Sequence, residues 1–331
     1  MRLSESLRKT FGLSLGCILN KYKLKKRRVT LFFEDIGASY IRFCEREGFQ
    51  DLMYKIGQDW MGLYCSSLMP DFIRGMKVSR IINKIINPIW QNLGLLDSIT
   101  ATEDGDKIYL EVKNEGLTRR IGKNKFMVGF YSGLLMSLSE KKMKILDFKQ
   151  TKKKCEYVFR KTSVQAQRWE GRDRIIYEKL NKEGKSAHSF LEEAFKKRIF
   201  LLKGNNVYFN KKLLSPIETT LFHLIGHKGI YLEKVSEISY RFLRAALKKG
   251  QKDLIFFKNL LQMMGWGDIM ILEEKGKINF EISNPPYGLY KEDNWRFLAE
   301  VIKGYLKLKS SCEIASIRES PLKISIKYFC S

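Results

Sequence analysis

The chain lacks any run of eighteen consecutive apolar residues, which is about the shortest length that a helix needs to cross a bilayer. The sequence therefore predicts no membrane span. Near the N-terminus the apolar stretch FGLSLGCIL is short, and the basic segment NKYKLKKRR follows it without a small-residue cleavage site. These features argue against a secretory signal and favour a basic amphipathic helix.

Cysteine pairs at metal-binding or redox spacing are also missing. The six cysteines are scattered along 331 residues and none belongs to a Cys-x-x-Cys pair. Such a distribution is typical of reduced, buried thiols in a cytoplasmic protein, and it predicts neither a disulfide framework nor a structural zinc site.

No catalytic constellation is complete. The run Asn284-Pro285-Pro286-Tyr287 resembles the signature of enzymes that methylate exocyclic amino groups, but the Gly-rich turn that would hold a methyl donor is missing. Asn-Pro and Pro-Pro also mark turns, which is the interpretation that we favour. His223 and His227 have a helical i, i+4 spacing without the glutamate that a metallohydrolase needs. We therefore predict a protein that is not an enzyme and has no cofactor and no metal.

Basic residues are in large excess, with 61 Lys and Arg against 36 Asp and Glu and a net charge of +25. Three segments carry +21 of this charge, namely residues 1–30 (+8), 141–154 (+6) and 161–212 (+7). Clusters of like charge repel one another unless a polyanion offsets them. The distribution therefore predicts contacts between these segments and phosphate groups.

A large folded RNA, such as ribosomal RNA or a ribosomal subunit, is the partner that this pattern favours. Helix-turn-helix, zinc-finger and basic-zipper motifs are absent, as are the paired aromatic motifs of sheet-type single-strand modules. Binding of the N-terminal helix to an anionic membrane surface is a weaker alternative. The predicted nucleic-acid-binding residues are Lys21, Lys23, Lys25, Lys26, Arg27, Arg28, Lys152, Lys153, Lys154, Lys196, Lys197 and Arg198.

An internal repeat organises the chain. Residues 104–116 and 274–286 match at a spacing of 170, and so do CEYVF ending at Phe159 and SIKYF ending at Phe329. The helical segments 125–138 and 296–309 match with one residue slipped, and KKRRVTLFF matches FKKRIFLL. The order of helices and hairpins in each copy predicts an α+β fold with two tandem repeats, each with helices packed on an antiparallel sheet. The predicted domains are a basic arm (1–30), a first domain (31–160), a basic linker (161–198) and a divergent second domain (199–331).

The order of these elements, with FMVGFYSGLL before a final strand pair that ends in CEYVF, resembles the 4-vinyl reductase-like small-molecule-binding domain. The resemblance implies an archaeal-type protein that forms a homodimer through its helices. It also implies an apolar ligand between helices and sheet, with a pocket formed by Phe126, Phe130, Leu134, Phe297 and Val301. The second cysteine that many members have before the last one is absent here, so no metal site is expected. A ligand-responsive regulator is therefore the alternative to an RNA-binding factor that bridges or silences ribosomal particles.

Overall fold

The computed structural model describes residues 30–68, 76–181, 187–320 and 322–331. These residues form two compact units. Of the described residues, the first unit comprises those within 37–174 and 289–291, and the second comprises those within 30–36, 175–288 and 292–331. The predicted domain boundaries stay a prediction.

The first unit packs helices on one face of an antiparallel sheet with the strand order β2-β3-β5-β4. Its strands are β2 (Ser98–Asp104), β3 (Lys107–Lys113), β4 (Lys141–Gln150) and β5 (Lys154–Gln165). Its helices are α1 (Glu34–Arg46, which begins in the second unit), α2 (Gln50–Leu68), α3 (Val78–Ile81), α4 (Asn87–Asn92), α5 (Gly116–Ile121) and α6 (Lys125–Ser139), with a π-helical turn at Ile82–Ile86.

Helices α2 and α6 are packed with their backbones in contact. A methyl group added to Gly129 would collide with the backbone carbonyl of Tyr54, and one added to Gly133 would collide with that of Gln58. Nearly every residue of α6 is buried, because the helix lies between α2 and the sheet. The two glycines therefore set how closely the helices approach.

The second unit contains two antiparallel sheets with the orders β1-β8-β7-β6 and β11-β12-β10-β9. Its strands are β1 (Thr30–Phe33), β6 (Phe200–Lys203), β7 (Asn206–Phe209), β8 (Lys212–Ile217), β9 (Asp268–Glu274), β10 (Lys277–Ser283), β11 (Cys312–Ser320) and β12 (Lys323–Cys330). Its helices are α7 (Arg174–Leu180), α8 (Ala187–Lys196), α9 (Thr220–Lys228), α10 (Glu233–Ala246), α11 (Leu254–Met263) and α12 (Arg296–Leu306), with a short 3₁₀ turn at Lys249–Gln251.

Strand β1 is part of the second unit although it precedes the first copy of the repeat. It pairs antiparallel with β8, so that Thr30 lies opposite Ile217 and Phe33 opposite Leu214. The ring of Phe32 lies 4.7 Å from that of Phe222, 6.0 Å from Trp266 and 5.8 Å from Phe297, measured between centroids. An aromatic cluster of the second unit is thus completed by the N-terminal strand.

The α+β fold with two repeated sets of helices on antiparallel sheets is confirmed. Hairpins β2–β3 and β9–β10, the helices α6 and α12, and the final pairs β4–β5 and β11–β12 occur in the same order in both copies. Asn114 and Asn284 even share a positive φ, at 50° and 49°. The Asn-Pro-Pro-Tyr run therefore forms the turn that follows β10, as the favoured interpretation predicts.

Two details of the sequence alignment are wrong. Phe159 pairs with Ile108, but the residue opposite Ile278 is Tyr328, which is buried, whereas Phe329 is 52% exposed. One residue fewer between β11 and β12 shifts the register and turns each side chain to the other face. The match of β1 with the segment that forms β6 also fails, because β8 is the strand that leads into a helix as β1 does.

The expectation of only reduced cysteines is also wrong. Cys312 and Cys330 lie opposite each other on β11 and β12 and form a disulfide. Sequence spacing gave no signal for this bond, because the two residues meet only through the pairing of the last two strands. Among the described residues, Cys44 and Cys155 are free thiols, and Cys44, Cys65 and Cys155 are all buried.

Within the described part of the chain, no helix combines the length and the apolarity needed to cross a membrane.

Candidate nucleic-acid interface

The turn between β4 and β5 presents three of the predicted lysines on a fixed backbone. Lys152, Lys153 and Lys154 are all exposed. The Thr151 hydroxyl donates to the Lys154 carbonyl at 2.8 Å, and the Lys153 carbonyl accepts the Asn114 backbone N–H at 2.8 Å. The turn is thus fixed from both sides, and its ammonium groups project from a rigid support.

Neighbouring strand ends, a loop and a helix start add four lysines that are not among the predicted nucleic-acid-binding residues. Asn124, between α5 and α6, donates its backbone N–H to the Gln150 side chain at 2.8 Å, next to the turn. The ammonium groups of Lys123 and Lys125 both lie 5.0 Å from the centroid of the Phe148 ring on β4. We refer to the resulting cluster as the basic end, which consists of Lys113, Lys123, Lys125, Lys149, Lys152, Lys153 and Lys154.

Acidic residues balance only part of this charge. Lys154 is paired with Glu111 at 2.9 Å and with Glu156 at 2.8 Å, and Glu111 also lies 3.9 Å from Lys113. The hydrogen bonds that the Lys154 ammonium group donates to Glu156 and Glu111 raise its pKa. Among the described residues, no ion pair holds Lys123, Lys149, Lys152 or Lys153. The charges of Lys123, Lys152 and Lys153 are therefore available to an external anion, whereas Lys149 lies opposite Glu156 and interacts with its charge.

A buried carboxyl group lies behind this surface without neutralising it. Glu115 is 2% exposed and accepts a hydrogen bond from the Tyr157 hydroxyl at 2.8 Å and another from Thr118. Burial raises the pKa of the Glu115 carboxyl, because removal from water disfavours the charged form. Burial, followed by the charge of Glu115, likewise raises the pKa of the neighbouring Cys155 thiol to about 12. These groups anchor the loop after β3 and add no surface charge while protonated.

The second predicted cluster lies in the second unit. Helix α8 ends at Lys196, Lys197 follows it, and Arg198 has a positive φ of 55° in the turn before β6. All three are exposed, and Lys197 forms an ion pair with Glu193. The structure thus brings these three cations together, in a different unit from the basic end. The predicted residues Lys21, Lys23, Lys25, Lys26, Arg27 and Arg28 lie outside the described residues.

The residues of the predicted apolar pocket are packed against other side chains. The rings of Phe126 and Phe130 lie 6.2 and 5.4 Å from that of Trp60. In the other unit, Phe297 stacks on Phe222 at 4.8 Å. Leu134 and Val301 are also buried. The five residues therefore occupy two separate cores, three in the first unit and two in the second, and ligand binding there stays a prediction.

The two histidines fasten α9 to the loop that follows β10. The Nδ1 atom of His223 lies 3.0 Å from the Asn294 backbone nitrogen and 3.2 Å from the Asn294 carbonyl oxygen, and the ring's other nitrogen is Nε2. That Nε2 lies 3.2 Å from an Asp293 carboxylate oxygen and 3.3 Å from the Pro286 carbonyl. His227 contacts the Glu292 carbonyl at 2.9 Å. Within the described ranges, no three His, Cys, Asp or Glu side chains are grouped as a metal ion would require.

Hydrogen bonds also account for the Asn-Pro-Pro-Tyr run. The Asn181 amide donates to the Tyr287 carbonyl and accepts the Tyr287 N–H, both at 3.0 Å. The Thr219 hydroxyl donates to the Pro286 carbonyl at 3.1 Å. Tyr287 itself is 3% exposed. The run therefore serves as a buried connection, stapled by side chains of the same unit.

No family model matches the chain, and neither a curated protein nor a solved structure shows significant similarity to it. The resemblance to the 4-vinyl reductase-like domain therefore stays a prediction.

Proposed function

We propose that this protein is a non-enzymatic RNA-binding factor that contacts the phosphates of a large folded RNA, such as ribosomal RNA, through its basic end. One observation carries this proposal, namely that the second copy of the repeat joins the matching strands by a turn one residue shorter, in which Leu322 stands where the first copy has Lys153. The comparison separates residues that the fold needs from residues that it does not.

The two turns share a backbone hydrogen bond and an ion pair, although the second turn is one residue shorter. The Asn114 N–H donates to the Lys153 carbonyl and the Asn284 N–H to the Leu322 carbonyl, each at 2.8 Å. Lys154 pairs with Glu111 at 2.9 Å, and Lys323 pairs with Glu281 at 2.7 Å. The lysine–glutamate pair is therefore a common feature of the fold.

Lys153 has no such counterpart, because Leu322 stands in its place and is 43% exposed. A turn of this fold forms without the extra charge, so Lys152 and Lys153 are not needed to build it. Unpaired lysines side by side repel one another, and a row of phosphates relieves that repulsion. Contacts of this kind position a protein on RNA and read its shape rather than its sequence.

The test is co-sedimentation with ribosomal particles on sucrose gradients, combined with RNA affinity measured between about 50 and 200 mM salt. Replacing Lys123, Lys149, Lys152 and Lys153 by Ser removes four unpaired charges from the basic end. We expect the slope of log K against log salt to fall by about three, since each neutralised phosphate contributes roughly 0.7 to 0.9.

A matched control replaces Lys203, Lys249, Lys275 and Lys309, which are exposed lysines of the second unit. This control has the same change in net charge and should keep most of the slope. Equal losses in the two variants would mean that binding follows total charge, and the proposed interface would be wrong. If the RNA affinity of the wild-type protein did not change with salt concentration, contact with RNA phosphates would be refuted altogether.

We further propose that the protein is cytoplasmic, and that it forms a homodimer, as the resemblance to the 4-vinyl reductase-like domain implies. Native mass spectrometry at micromolar concentration tests the dimer, and the same spectrum reports any retained apolar ligand. A monomer would contradict the proposed homodimer. An apolar molecule retained in stoichiometric amount would favour the ligand-responsive regulator.

A further inference from the structure

The face of the β2-β3-β5-β4 sheet that points away from its buried residues carries an aromatic residue near its centre. Ile108, Leu110 and Val112 of β3 point into the core, so the alternate residue Tyr109 points outward. Tyr109 is 36% exposed and lies opposite Thr102 on β2 and Val158 on β5. Its ring is therefore accessible on an open sheet surface.

Basic residues lie on both sides of Tyr109 along the strands, but at different distances. Two residues away, about 7 Å along the strand, Lys107 lies opposite Arg160, which in turn lies opposite Lys144. On the other side Glu111 and Glu156 come first, with Lys149 opposite Glu156, and Lys113 and Lys154 of the basic end follow. Both glutamates pair with Lys154, and Asp106 lies 3.4 Å from Arg160, so part of the charge on each side is balanced. The ring thus lies between a basic row and the basic end, with two paired carboxylates before the basic end.

The equivalent face of the second copy lacks this arrangement. Asn279 stands at the position of Tyr109, between Leu272 and Lys327. Where the first copy has Asp104, Lys107, Arg160 and Lys144 in register, the second has Glu274, Lys277, Phe329 and Glu313. The net charge of these four residues is positive in the first copy and negative in the second. The sheet forms with either set, so the fold does not require the aromatic centre or the basic row.

We infer that this open face binds a single-stranded segment of RNA, with one base stacked on Tyr109 and the flanking phosphates held by Lys107, Arg160 and Lys144 on one side and by the basic end on the other. The inference rests on the proposed RNA binding and adds the kind of RNA segment. Base stacking on an aromatic ring tolerates any sequence, because every base has a π-face. A single aromatic residue predicts one stacked base and little sequence preference.

Single-stranded rather than double-stranded RNA fits this surface for a geometric reason. Bases within an A-form duplex are stacked on one another, and the deep, narrow major groove keeps side chains from their edges. A ring on an open sheet can meet only a base that has left the stack. Loops and bulges of a large folded RNA supply such bases.

The experiment compares the affinity of the full chain for a fluorescein-labelled oligo(U) twelve-mer and for a fully paired RNA duplex of matched charge. Tyr109→Ala should weaken oligo(U) binding about tenfold, within the range known for loss of one stacked base, and leave duplex binding unchanged. Tyr109→Phe should restore it. Phe329→Ala, which removes an exposed aromatic from the other open face, should have no effect. Ultraviolet cross-linking of oligo(U) should label the peptide that contains Tyr109.

Each failure has a distinct pattern. The variant with Ser at positions 123, 149, 152 and 153 is compared with Tyr109→Ala. If the first variant loses RNA binding and Tyr109→Ala binds oligo(U) as the wild type does, the proposed stacking on Tyr109 is wrong and the proposed function stands. The proposed stacking would also be refuted if Tyr109→Ala lost equal affinity for oligo(U) and for the duplex. The same holds if Phe329→Ala lost as much affinity for oligo(U) as Tyr109→Ala. If the wild-type protein binds neither RNA, both proposals fail. Preference of more than tenfold for oligo(dT) over oligo(U) would overturn the assignment to RNA.

Discussion

The Tyr157 hydroxyl donates a hydrogen bond to the Glu115 carboxyl at 2.8 Å in the interior of the first unit. Tyr131 and Cys155 border the same carboxyl. Burial raises the pKa of Glu115, so the folded protein holds a proton that the unfolded chain releases above about pH 4.3. Stability therefore falls as pH rises from the unfolded pKa towards the folded pKa.

We expect wild-type protein to resist urea better near pH 5 than near pH 8. Glu115→Gln removes the titrating group and should flatten this dependence, while Glu115→Ala should cost about 1–3 kcal/mol at both values by leaving Tyr157 without its partner. Urea denaturation of the three proteins at both pH values is the measurement. An equally steep pH dependence in Glu115→Gln would assign the effect to other groups.

Phe32 should be essential to the second unit. Its ring contacts Phe222, Trp266 and Phe297, so Phe32→Ala should cost roughly 3–5 kcal/mol. Phe329→Ala removes an exposed ring and should cost less than about 0.5 kcal/mol. Tryptophan fluorescence during denaturation, to which Trp266 is one of five contributors, gives the free energies of unfolding. Similar costs for the two variants would mean that β1 is not packed as described.

Glycines in helices should respond in opposite ways. At Gly133 a methyl group would collide with the Gln58 carbonyl, so Gly133→Ala should destabilise the protein by about 1–3 kcal/mol despite the better helix propensity of alanine. At Gly37, in α1, nothing lies within 4 Å of the added carbon, and alanine should stabilise by about 0.5–1 kcal/mol. Differential scanning calorimetry of both variants gives the comparison. Stabilisation by Gly133→Ala would contradict the close packing of α2 and α6.

The disulfide should be detectable by mass. After denaturation without reductant, alkylation should leave Cys312 and Cys330 unmodified, and reduction should then expose both. Before denaturation, Cys44 and Cys155 should react slowly, because burial raises their pKa values to about 11 and about 12. Disulfides are rare in cytosolic proteins, so alkylation in intact cells also tests the proposed location. Full alkylation of all six cysteines without reductant would exclude the bond.

The sequence predicted what depends on local pattern and on similarity between the copies. The hairpin at Gly105, the helix from Lys125 to Ser139 and the turn at Asn284 all follow from periodicity, turn residues and the repeat. The sequence did not predict how distant strands pair. The one-residue shift that places Tyr328 in the core, and the partner of Cys312, depend on how the last strands meet.

In the candidate interface, too, the sequence predicted the residues that lie together along the chain and not those that the fold brings together. Lys152 and Lys153 were predicted because they form a run in the sequence. Lys123 and Lys149 were missed because the fold, and not the sequence order, brings them to that run. Nothing in the sequence distinguished Glu115 from a surface glutamate, since its burial results from the loop after β3 folding back over Tyr157.

The pairing of β1 has a consequence for synthesis on the ribosome. Thr30 and Ile217 are separated by 187 residues, so β1 leaves the exit tunnel long before its partner strand exists. At about 5–20 residues per second, the strand must wait on the order of 10–40 s. During that time its apolar residues need another cover, such as a nascent-chain chaperone. The second unit can complete its fold only after most of the protein has been made, so a chain that stops early cannot yield it.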